Sequence, residues 1–235
     1  MSIVLVIIGL IVGGVLAGRE LIATAHIRQI IAEYHQYSAT FNSYQNRYGY
    51  LPGDHPDAWN YFANTNYRCT SANNCNGDGD GRICYSSGTV DCGTATTDIE
   101  NYKAIAHIES SGLIPIDYAL HPSTDANLGF ARSFADKSSC WAPDRSGNFG
   151  HIRNIILFGS YSSSNYCQTP VFTNLEAYNI DKKIDDGHGA KGRILGHPGN
   201  GGSTCVPAGN FSLPTNATYS LNIDGKACIL LFSLG

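Results

Sequence analysis

The chain has 235 residues, of which 43% are hydrophobic and 14% are charged, and its formal net charge at pH 7 is −4. Because the net charge is negative and no basic cluster occurs, the sequence disfavours nucleic acid as a partner. No proline- or serine-rich linker divides the chain beyond residue 50. We therefore expect two parts, an N-terminal segment over 1–50 and one head domain over 51–235.

The first 18 residues contain no charged side chain, and Arg19 and Glu20 begin a more polar continuation. A helix over this apolar run would reach roughly 27 Å, against about 30 Å for a typical hydrocarbon core. Three interpretations compete: a signal peptide that is removed, a membrane anchor, and the assembly helix of a filament subunit. The signal peptide is the least favoured, because neither a basic start nor a small-residue cleavage site followed by a structural break is visible.

The helix is predicted to continue well beyond the apolar run. No proline occurs before Pro52, so a single helix can extend from about Ile3 to Tyr48. Apolar and aromatic residues recur three and four positions apart in its second half, which is one stripe of one helix. These residues are Ile27, Ile30, Tyr34, Tyr37, Phe41, Tyr44 and Tyr48. We expect this stripe to seat the head domain on a partly buried face, with the tyrosine hydroxyls reaching water.

Five stretches of the sequence resemble a known family. They read SIVLVIIGLIVGGVLAG at 2–18, YGYLPGD at 48–54, CNGDGDG at 75–81, GLIP at 112–115 and YNIDKKIDDG at 178–187. The first resembles the helix of type IV pilin-like proteins, which carry a prepilin-type cleavage and methylation segment, and the others are similar to stretches of one bacterial pilin-like subgroup. The resemblance implies an α+β fold, with a long N-terminal helix packed on a loop-rich, disulfide-bonded head that contains a small antiparallel β-sheet.

The same resemblance implies a function. Pilins and the pseudopilins of type II secretion are held in the inner membrane by one helix and are then polymerised by an assembly machinery into an extracellular or periplasmic filament. We therefore expect a structural subunit that forms a helical homo-oligomer, with its head outside the cytoplasm. The alternative is a membrane-anchored surface or adhesive protein, or a minor pilin, that does not itself form the filament body.

Members of the family begin with a short basic leader that ends in glycine, followed by a mature segment of the form Phe-x-x-x-Glu. By resemblance, Met1 lies inside the mature helix. We therefore assign neither the processing site nor the glutamate implicated in subunit registration to any position of this sequence.

The apolar run contains two small-xxx-small spacings, Gly9 with Gly13 and Gly14 with Gly18. Such spacings let helix backbones approach closely in lipid, although glycine is also common in transmembrane helices generally. In a filament, these glycine positions would allow the helices of neighbouring subunits to pack closely. The predicted assembly surface comprises Ile3, Ile7, Gly9, Gly13, Gly14 and Gly18.

The head is rich in Gly, Ser, Asn, Thr and Tyr, and its periodicity is weak. Helices are predicted at about 98–111 and 174–184. Strands are predicted at 152–159, 217–223 and 226–232. The last two flank Asp224-Gly225, which is a hairpin turn signal.

All eight cysteines lie in the head, and an even number there is typical of a protein that folds in an oxidising compartment. Proximity in sequence favours four disulfides: Cys69 with Cys75, Cys84 with Cys92, Cys140 with Cys167, and Cys205 with Cys228. The alternative is a zinc site, which is disfavoured because no Cys-x-x-Cys occurs.

Segment 76–83 reads NGDGDGRI and matches the first half of an EF-hand-type calcium loop. Asn76, Asp78 and Asp80 would offer side-chain oxygens, and Arg82 would offer its carbonyl oxygen. The glutamate that usually closes such a loop is replaced by Ser87.

A further carboxylate must therefore come from elsewhere, and the candidates are Glu100, Asp98 and Asp54. The predicted metal ligands are Asn76, Asp78, Asp80, Arg82 and Glu100, with Ca²⁺ as the cofactor. The alternative is a solvated Gly/Asp turn without an ion. The resemblance adds that major pseudopilins of type II secretion carry calcium in a head loop.

Asp181, Asp185 and Asp186 form a second acidic group, which we interpret as a solvated helix end rather than a metal site. The histidines are scattered, and neither His-Glu-x-x-His nor Gly-x-Ser-x-Gly occurs. We therefore do not expect an enzyme.

Overall fold

The structure, a computed structural model, describes residues 2–65, 69–84, 100–116, 118–119, 130–145, 153–162, 165–200, 204–207 and 217–234. Within these ranges the chain forms a long N-terminal helix and an α+β head with an antiparallel sheet. The helices are α1 (Ser2–Tyr48), α2 (Ala58–Phe62), α3 (Ala72–Cys75), α4 (Glu100–Ser111) and α5 (Asn174–Ile184). The strands are β1 (Tyr118–Ala119), β2 (Phe130–Arg132), β3 (Ser139–Arg145), β4 (Asn154–Ser162), β5 (Asn165–Thr169), β6 (Ile194–His197) and β7 (Ile229–Ser233).

Helix α1 is one helix of 47 residues, which confirms the prediction of a single helix up to Tyr48. It ends at a glycine: Gly49 has a φ of +81°, and its N–H donates to the carbonyl oxygen of Gln45 at 2.8 Å. A left-handed glycine after the last turn is a common helix terminator, because glycine has no Cβ to clash in that conformation.

The sheet is antiparallel at every described pairing and has the order β1-β2-β3-β4-β7-β6, with β5 paired to β4. Strand β4 is the centre, because it pairs with β3 over seven positions and with β7 over four. Strand β7 lies between β4 and β6, and all of its residues are buried. The last strand of the chain is therefore part of the core of the head.

The second half of α1 packs across this sheet through its aromatic stripe. The ring of Tyr34 lies 4.7 Å from that of Phe232 on β7, and the ring of Tyr37 lies 5.6 Å from that of Trp141 on β3. Trp141 in turn packs on Phe158 of β4, with ring centroids 4.6 Å apart. The stripe therefore contacts the core formed by the three adjacent strands β3, β4 and β7.

The expectation that the tyrosine hydroxyls of the stripe reach water is wrong. Tyr34, Tyr37 and Tyr44 are at most 3% exposed. The hydroxyl of Tyr34 donates to the carbonyl oxygen of Ser233 at 3.0 Å, and that of Tyr44 shares a hydrogen bond with Nδ1 of His55 at 2.9 Å. For Tyr34 and Tyr44, partners inside the head take the place of water, so these tyrosines are core residues whose hydroxyls make specific polar contacts.

A buried carboxyl group also fixes α1 to the head. Glu33 lies on the docked half of the helix and is buried. Its Oε2 accepts a hydrogen bond from Nε1 of Trp141 at 2.7 Å, and its Oε1 accepts one from the backbone N–H of Ala135 at 2.6 Å. Both oxygens therefore bind donors of the head, and without Glu33 the buried Nε1 of Trp141 would lose its partner.

A second cluster surrounds the C-terminal end of α1, where Tyr44 packs with α2 and with the Cys69–Cys75 disulfide. His107 of α4 stacks on Tyr44, with ring planes 10° apart. Burial lowers the pKa of His107 to about 3, so its ring is neutral. Its Nδ1 accepts the N–H of Gly53 at 2.9 Å and its Nε2 donates to the carbonyl oxygen of Cys75 at 2.8 Å. His107 therefore holds the chain after α1 against α4.

Most predicted elements of the head are present. The helix predicted at 174–184 is α5, and the described part of the helix predicted at 98–111 is α4. The strands predicted at 152–159 and 226–232 correspond to β4 and β7.

The strand predicted at 217–223 is wrong, and so is the hairpin around Asp224-Gly225. Both edges of β7 are already occupied, one by β4 and the other by β6, so the preceding segment has no strand to pair with there. Instead, the N–H of Ser220 donates to the carbonyl oxygen of Cys205 at 3.0 Å.

Three of the four predicted disulfides are present, which confirms those pairings. They are Cys69–Cys75, Cys140–Cys167 and Cys205–Cys228. Cys84 is also disulfide-bonded, and its predicted partner, Cys92, lies outside the described residues.

Candidate functional site

The first half of α1 is an exposed apolar rod. Every residue from Ile3 to Ala17 is exposed, and the first buried residue of the helix is Ile27. By length and composition this helix is able to cross a membrane. Its exposed large apolar side chains are Ile3, Val4, Leu5, Val6, Ile7, Ile8, Leu10, Ile11, Val12, Val15, Leu16, Leu21 and Ile22.

The predicted assembly surface lies wholly within this rod. Ile3 is 75% exposed and Ile7 is 50% exposed. Four glycines lie beside them with open space around them. A Cβ would meet nothing within 4 Å at Gly9, Gly13, Gly14 or Gly18. The packing of the head therefore does not explain why these positions are glycine.

The second candidate site is a group of four carboxyl side chains, which we call the acidic group. It consists of Asp54, Asp78, Asp80 and Glu100, and each contributes one oxygen that lies within 4.8 Å of the other three. Asp54 and Glu100 are buried, whereas Asp78 and Asp80 are exposed. The group therefore has a buried floor and an open rim.

Glycines let the segments that carry the acidic group cross at close range. Gly53 has a φ of +94°, and a Cβ there would lie 2.4 Å from the carbonyl oxygen of Glu100. A Cβ at Gly77 would lie 2.3 Å from the carbonyl oxygen of Gly53 and 2.5 Å from Cα of Asp54. Any side chain at these two positions would overlap the neighbouring backbone, so glycine is required for Asp54, loop 76–84 and α4 to meet.

The backbone of loop 76–84 wraps around the two buried carboxyl groups. Oε1 of Glu100 accepts the N–H of Asp78 at 3.1 Å, and its Oε2 accepts the N–H of Cys84 at 3.0 Å. Oδ2 of Asp54 accepts the N–H of Gly81 at 3.0 Å. Among the described residues, Oδ1 of Asp54 is buried and has no hydrogen-bond partner.

The electrostatics of the acidic group disfavour full ionisation. Burial raises the pKa of Asp54 to about 7 and that of Glu100 to about 8, and neighbouring carboxylates contribute to both increases. Two unit negative charges 4.8 Å apart repel by about 3.5 kcal/mol at an effective dielectric constant of about 20. A cation at the centre would offset both the cost of burying the carboxylates and the repulsion between them. A set of ligands made only of oxygens suits a hard cation.

Three of the predicted ligands, Asp78, Asp80 and Glu100, lie together with Asp54 in the acidic group. The predicted ligand Asn76 does not belong to it. Oδ1 of Asn76 accepts the N–H of Trp59 at 2.7 Å, because the side chain turns towards the start of α2. This competing donor lies 17 positions away in the chain, so no local pattern around Asn76 indicates it. Asp98 lies outside the described residues. At residue 82, the Nε of Arg82 lies 3.6 Å from Oδ2 of Asp80, so its side chain places a positive charge at the rim.

No protein-family model, curated protein or solved structure matches this chain. The two sites are therefore interpreted from the chemistry of their own residues. The rod offers an apolar helical surface, and the acidic group offers several oxygens to a small cation.

The group of Asp181, Asp185 and Asp186 is only in part the solvated helix end that the sequence predicted, because Asp186 is exposed but Asp181 is not. Asp181 is fully buried: its Oδ2 accepts the hydroxyl of Tyr219 at 2.8 Å, and its Oδ1 accepts the N–H of Gly187 at 3.1 Å. Asp185 turns back to accept the N–H of Arg193. These carboxyl groups cap and close the end of α5, so donors of the head already occupy their oxygens.

Replacing Asp181 with asparagine is expected to flatten part of the pH dependence of stability. Burial raises the pKa of Asp181 from 3.8 to about 6, so the folded state loses stability relative to the unfolded state as the pH rises from about 4 to about 6. The difference between these two pKa values corresponds to a loss of at most about 3 kcal/mol in the free energy of unfolding. Asparagine keeps a side-chain oxygen that can accept the N–H of Gly187, but it cannot ionise, so this contribution to the pH dependence is removed.

Denaturant unfolding between pH 4 and pH 7 would measure this effect as the difference between wild type and Asp181→Asn. Asp224 is exposed, so Asp224→Asn provides a matched loss of charge. An Asp181→Asn curve parallel to that of wild type would show that this carboxyl group does not titrate as its burial implies.

Proposed function

We propose that this chain is a structural subunit of a type IV pilus-like filament, either a pilus or a type II secretion pseudopilus, that polymerises through the first half of α1. In this proposal the subunit is held in the inner membrane by α1 before assembly, and an assembly machinery then transfers it into the filament. Its function is assembly rather than catalysis.

The observation that carries the proposal is the division of α1 into two halves with opposite surroundings. Up to Ala17 every described side chain is exposed and most are apolar, whereas from Ile27 onwards one face is buried in the head. One continuous helix therefore joins an unpartnered apolar rod to a folded head. Such a division suits a subunit whose helices form a common core and whose heads form the outer layer.

The apolar rod requires a partner on energetic grounds. Burying one large aliphatic side chain is worth about 1.5–3 kcal/mol, and thirteen of them are exposed on the rod. Soluble monomers rarely expose contiguous apolar patches of this extent. Lipid supplies the environment before assembly, and the rods of neighbouring subunits replace lipid afterwards. The open glycines allow these rods to approach closely.

The head supports an exposed location outside the cytoplasm. Its three described disulfides form and persist in oxidising environments. They join segments that are separated by loops, which protects a surface layer against unfolding.

A membrane-anchored surface or adhesive protein that does not polymerise is the second candidate. The observation that favours it is that the helix can cross a membrane on its own. The two candidates differ in what they require of the glycines: an anchor needs only apolar length, whereas a filament needs close helix packing.

Gly14→Leu tests the proposal. The site is open in the single chain, so leucine should leave the head folded and membrane insertion intact. In a filament the added side chain would separate neighbouring rods, and we expect the yield of sheared fibres to fall by about tenfold or more, the equivalent of about 1.4 kcal/mol per contact. The yield would be measured by negative-stain electron microscopy and by mass spectrometry of the fibres.

Val15→Leu is the matched control, because it changes an exposed aliphatic neighbour without filling a glycine site. We expect this variant to assemble as wild type does. Fibres of Gly14→Leu at wild-type yield would contradict packing through the glycines. Wild-type membranes that hold the chain while no fibre contains it would favour the anchored protein instead.

A further inference from the structure

We propose that Asp54, Asp78, Asp80 and Glu100 bind one Ca²⁺ ion, and that this ion fastens the segment after α1, loop 76–84 and the start of α4 into one unit. The inference goes beyond filament assembly, because it concerns the head of a single chain. It also corrects the predicted ligand set, since Asp54 takes the place of Asn76.

The spacing of the four oxygens suits one calcium ion. Oxygens bind Ca²⁺ at about 2.3–2.6 Å, so two oxygens on opposite sides of the ion are about 4.6–5.2 Å apart. The four carboxyl oxygens of the acidic group lie within 4.8 Å of one another, so one ion can contact all of them with little movement. Bidentate carboxylates and water at the exposed rim can complete the six to eight ligands that calcium takes.

A buried oxygen without a partner is the second, independent observation. Asp54 is 1% exposed, and its Oδ2 is held by the N–H of Gly81 at 3.0 Å. Its Oδ1 is buried and accepts no hydrogen bond from any described residue. Buried polar atoms almost always have a partner, and among the described residues no N–H or hydroxyl group supplies one to this oxygen. A cation in the acidic group would supply it.

The carboxyl groups are also oriented by the backbone rather than left to move freely. Both oxygens of Glu100 accept N–H groups from opposite ends of the same loop, those of Asp78 and Cys84. Oδ1 of Asp78 accepts the N–H of Asp80 at 3.0 Å. This preorganisation brings the rim and the floor of the group together in the single chain, so binding costs little ordering of the loop.

Calcium fits the acidic group better than other common metals. The group contains only carboxyl oxygens, whereas zinc and copper favour histidine or cysteine ligands. Magnesium requires near-ideal octahedral geometry at about 2.0–2.1 Å, where opposite oxygens are about 4.0–4.2 Å apart, and it keeps several waters. Four carboxyl groups on a glycine-rich loop suit the longer and more variable contacts of calcium.

The ion would add a further link between parts of the head that already meet through hydrogen bonds, such as that from the N–H of Gly77 to the carbonyl oxygen of His55 at 2.9 Å. Asp54 lies six residues after the last residue of α1, Tyr48, and Glu100 is the first residue of α4. Oδ1 of Asn154 accepts the N–H of Ile83, which links the same loop to β4. A cation in the acidic group would thus connect the end of the long helix to the second cluster and to the sheet.

Calcium titration of the full chain in detergent tests the inference. After removal of metal with EGTA and dialysis, isothermal titration calorimetry should show one Ca²⁺ per chain with a Kd between about 1 μM and about 1 mM. Asp54→Asn and Glu100→Gln should each weaken binding by about tenfold or more. At one fixed calcium concentration, the Tm of wild type should rise by more than that of Asp54→Asn, because stabilisation by a ligand grows with the ratio of its concentration to its Kd.

Three further variants provide a control and two additional tests of the site. Asp57→Asn removes an exposed carboxylate close in sequence but outside the acidic group, and it should bind calcium as wild type does. Asp78→Asn changes only an exposed ligand, so it reports on binding even where a buried variant folds poorly. Arg82→Gln removes the positive charge beside Asp80, and it should bind calcium at least as tightly as wild type.

Absence of saturable binding up to about 10 mM calcium would overturn the inference, since even weak protein sites saturate by then. Binding that both Asp54→Asn and Asp78→Asn leave unchanged would overturn it as well. Equal displacement by a tenfold excess of Mg²⁺ would overturn the choice of calcium. All of these measurements use the dispersed chain, so failure here is distinguishable from failure of filament assembly.

Discussion

Replacing Glu33 with alanine is expected to lower the free energy of unfolding by about 3–5 kcal/mol. The change leaves one buried donor, Nε1 of Trp141, without a partner, at a cost of about 1–3 kcal/mol. The N–H of Ala135 loses its shorter hydrogen bond and keeps only Oγ of Ser133 at 3.1 Å. The removed methylene groups also leave unfilled space between α1 and the sheet. Guanidinium unfolding in detergent, followed by near-ultraviolet circular dichroism, would measure the change.

The same helix provides the control. Glu20 lies on the exposed rod, so Glu20→Ala should change stability by no more than about 0.5 kcal/mol. Trp141→Phe removes the indole donor while keeping an aromatic ring, and a double-mutant cycle with Glu33→Ala should give a coupling of about 1 kcal/mol or more. A Glu33→Ala variant as stable as Glu20→Ala would show that Glu33 does not hold the helix on the head.

Loss of the disulfide between Cys140 and Cys167 is expected to cost about 3–4 kcal/mol. These residues are separated by 27 positions, and the chain-entropy model assigns more stabilisation to longer loops. Cys140 lies on β3 opposite Gly159 of β4. A Cβ at Gly159 would lie 1.9 Å from the carbonyl oxygen of Cys167, so the bridge joins β3 and β5 beside the same residue of the central strand.

The paired variant Cys140→Ala/Cys167→Ala should be compared with Cys69→Ala/Cys75→Ala, whose bridge spans only 6 positions. The shorter loop predicts a smaller loss of about 2–2.5 kcal/mol. Denaturant unfolding at one pH and one protein concentration would rank the two. The reverse order, with the longer loop contributing less, would contradict loop entropy as the main source of stabilisation.

Features that depend on neighbours in sequence could be predicted well. The uninterrupted run up to Pro52 and the spacing of the stripe predicted α1, because helix periodicity is a local property. The same holds for α5, whose start is fixed by a capping box between Thr173 and Glu176. Short separations likewise predicted three disulfides.

Features that depend on distant segments could not be predicted. Nothing near 217–223 shows that β7 already has two neighbours, so a local strand pattern was misleading. Asp54 was only one of three candidates to complete the acidic group, because its approach to Glu100 depends on close contacts at Gly53 and Gly77. Glu33 has no sequence signal at all: it is one charged residue on a mixed helix until its donors from β3 and from the loop after β2 are seen.

In the proposed membrane-held state, the lengths of the two described halves of α1 would set the height of the head above the lipid surface. About 25 helical residues precede Ile27 and span roughly 37 Å, slightly more than a hydrocarbon core of about 30 Å. The nearer end of a membrane-held head therefore rests at the level of the lipid head groups. Tyr48 lies roughly 30 Å further along the axis. In that state the acidic group, which follows Tyr48 closely in the chain, would lie away from the lipid head groups and experience the ion concentrations of the bulk solution rather than those of the bilayer surface.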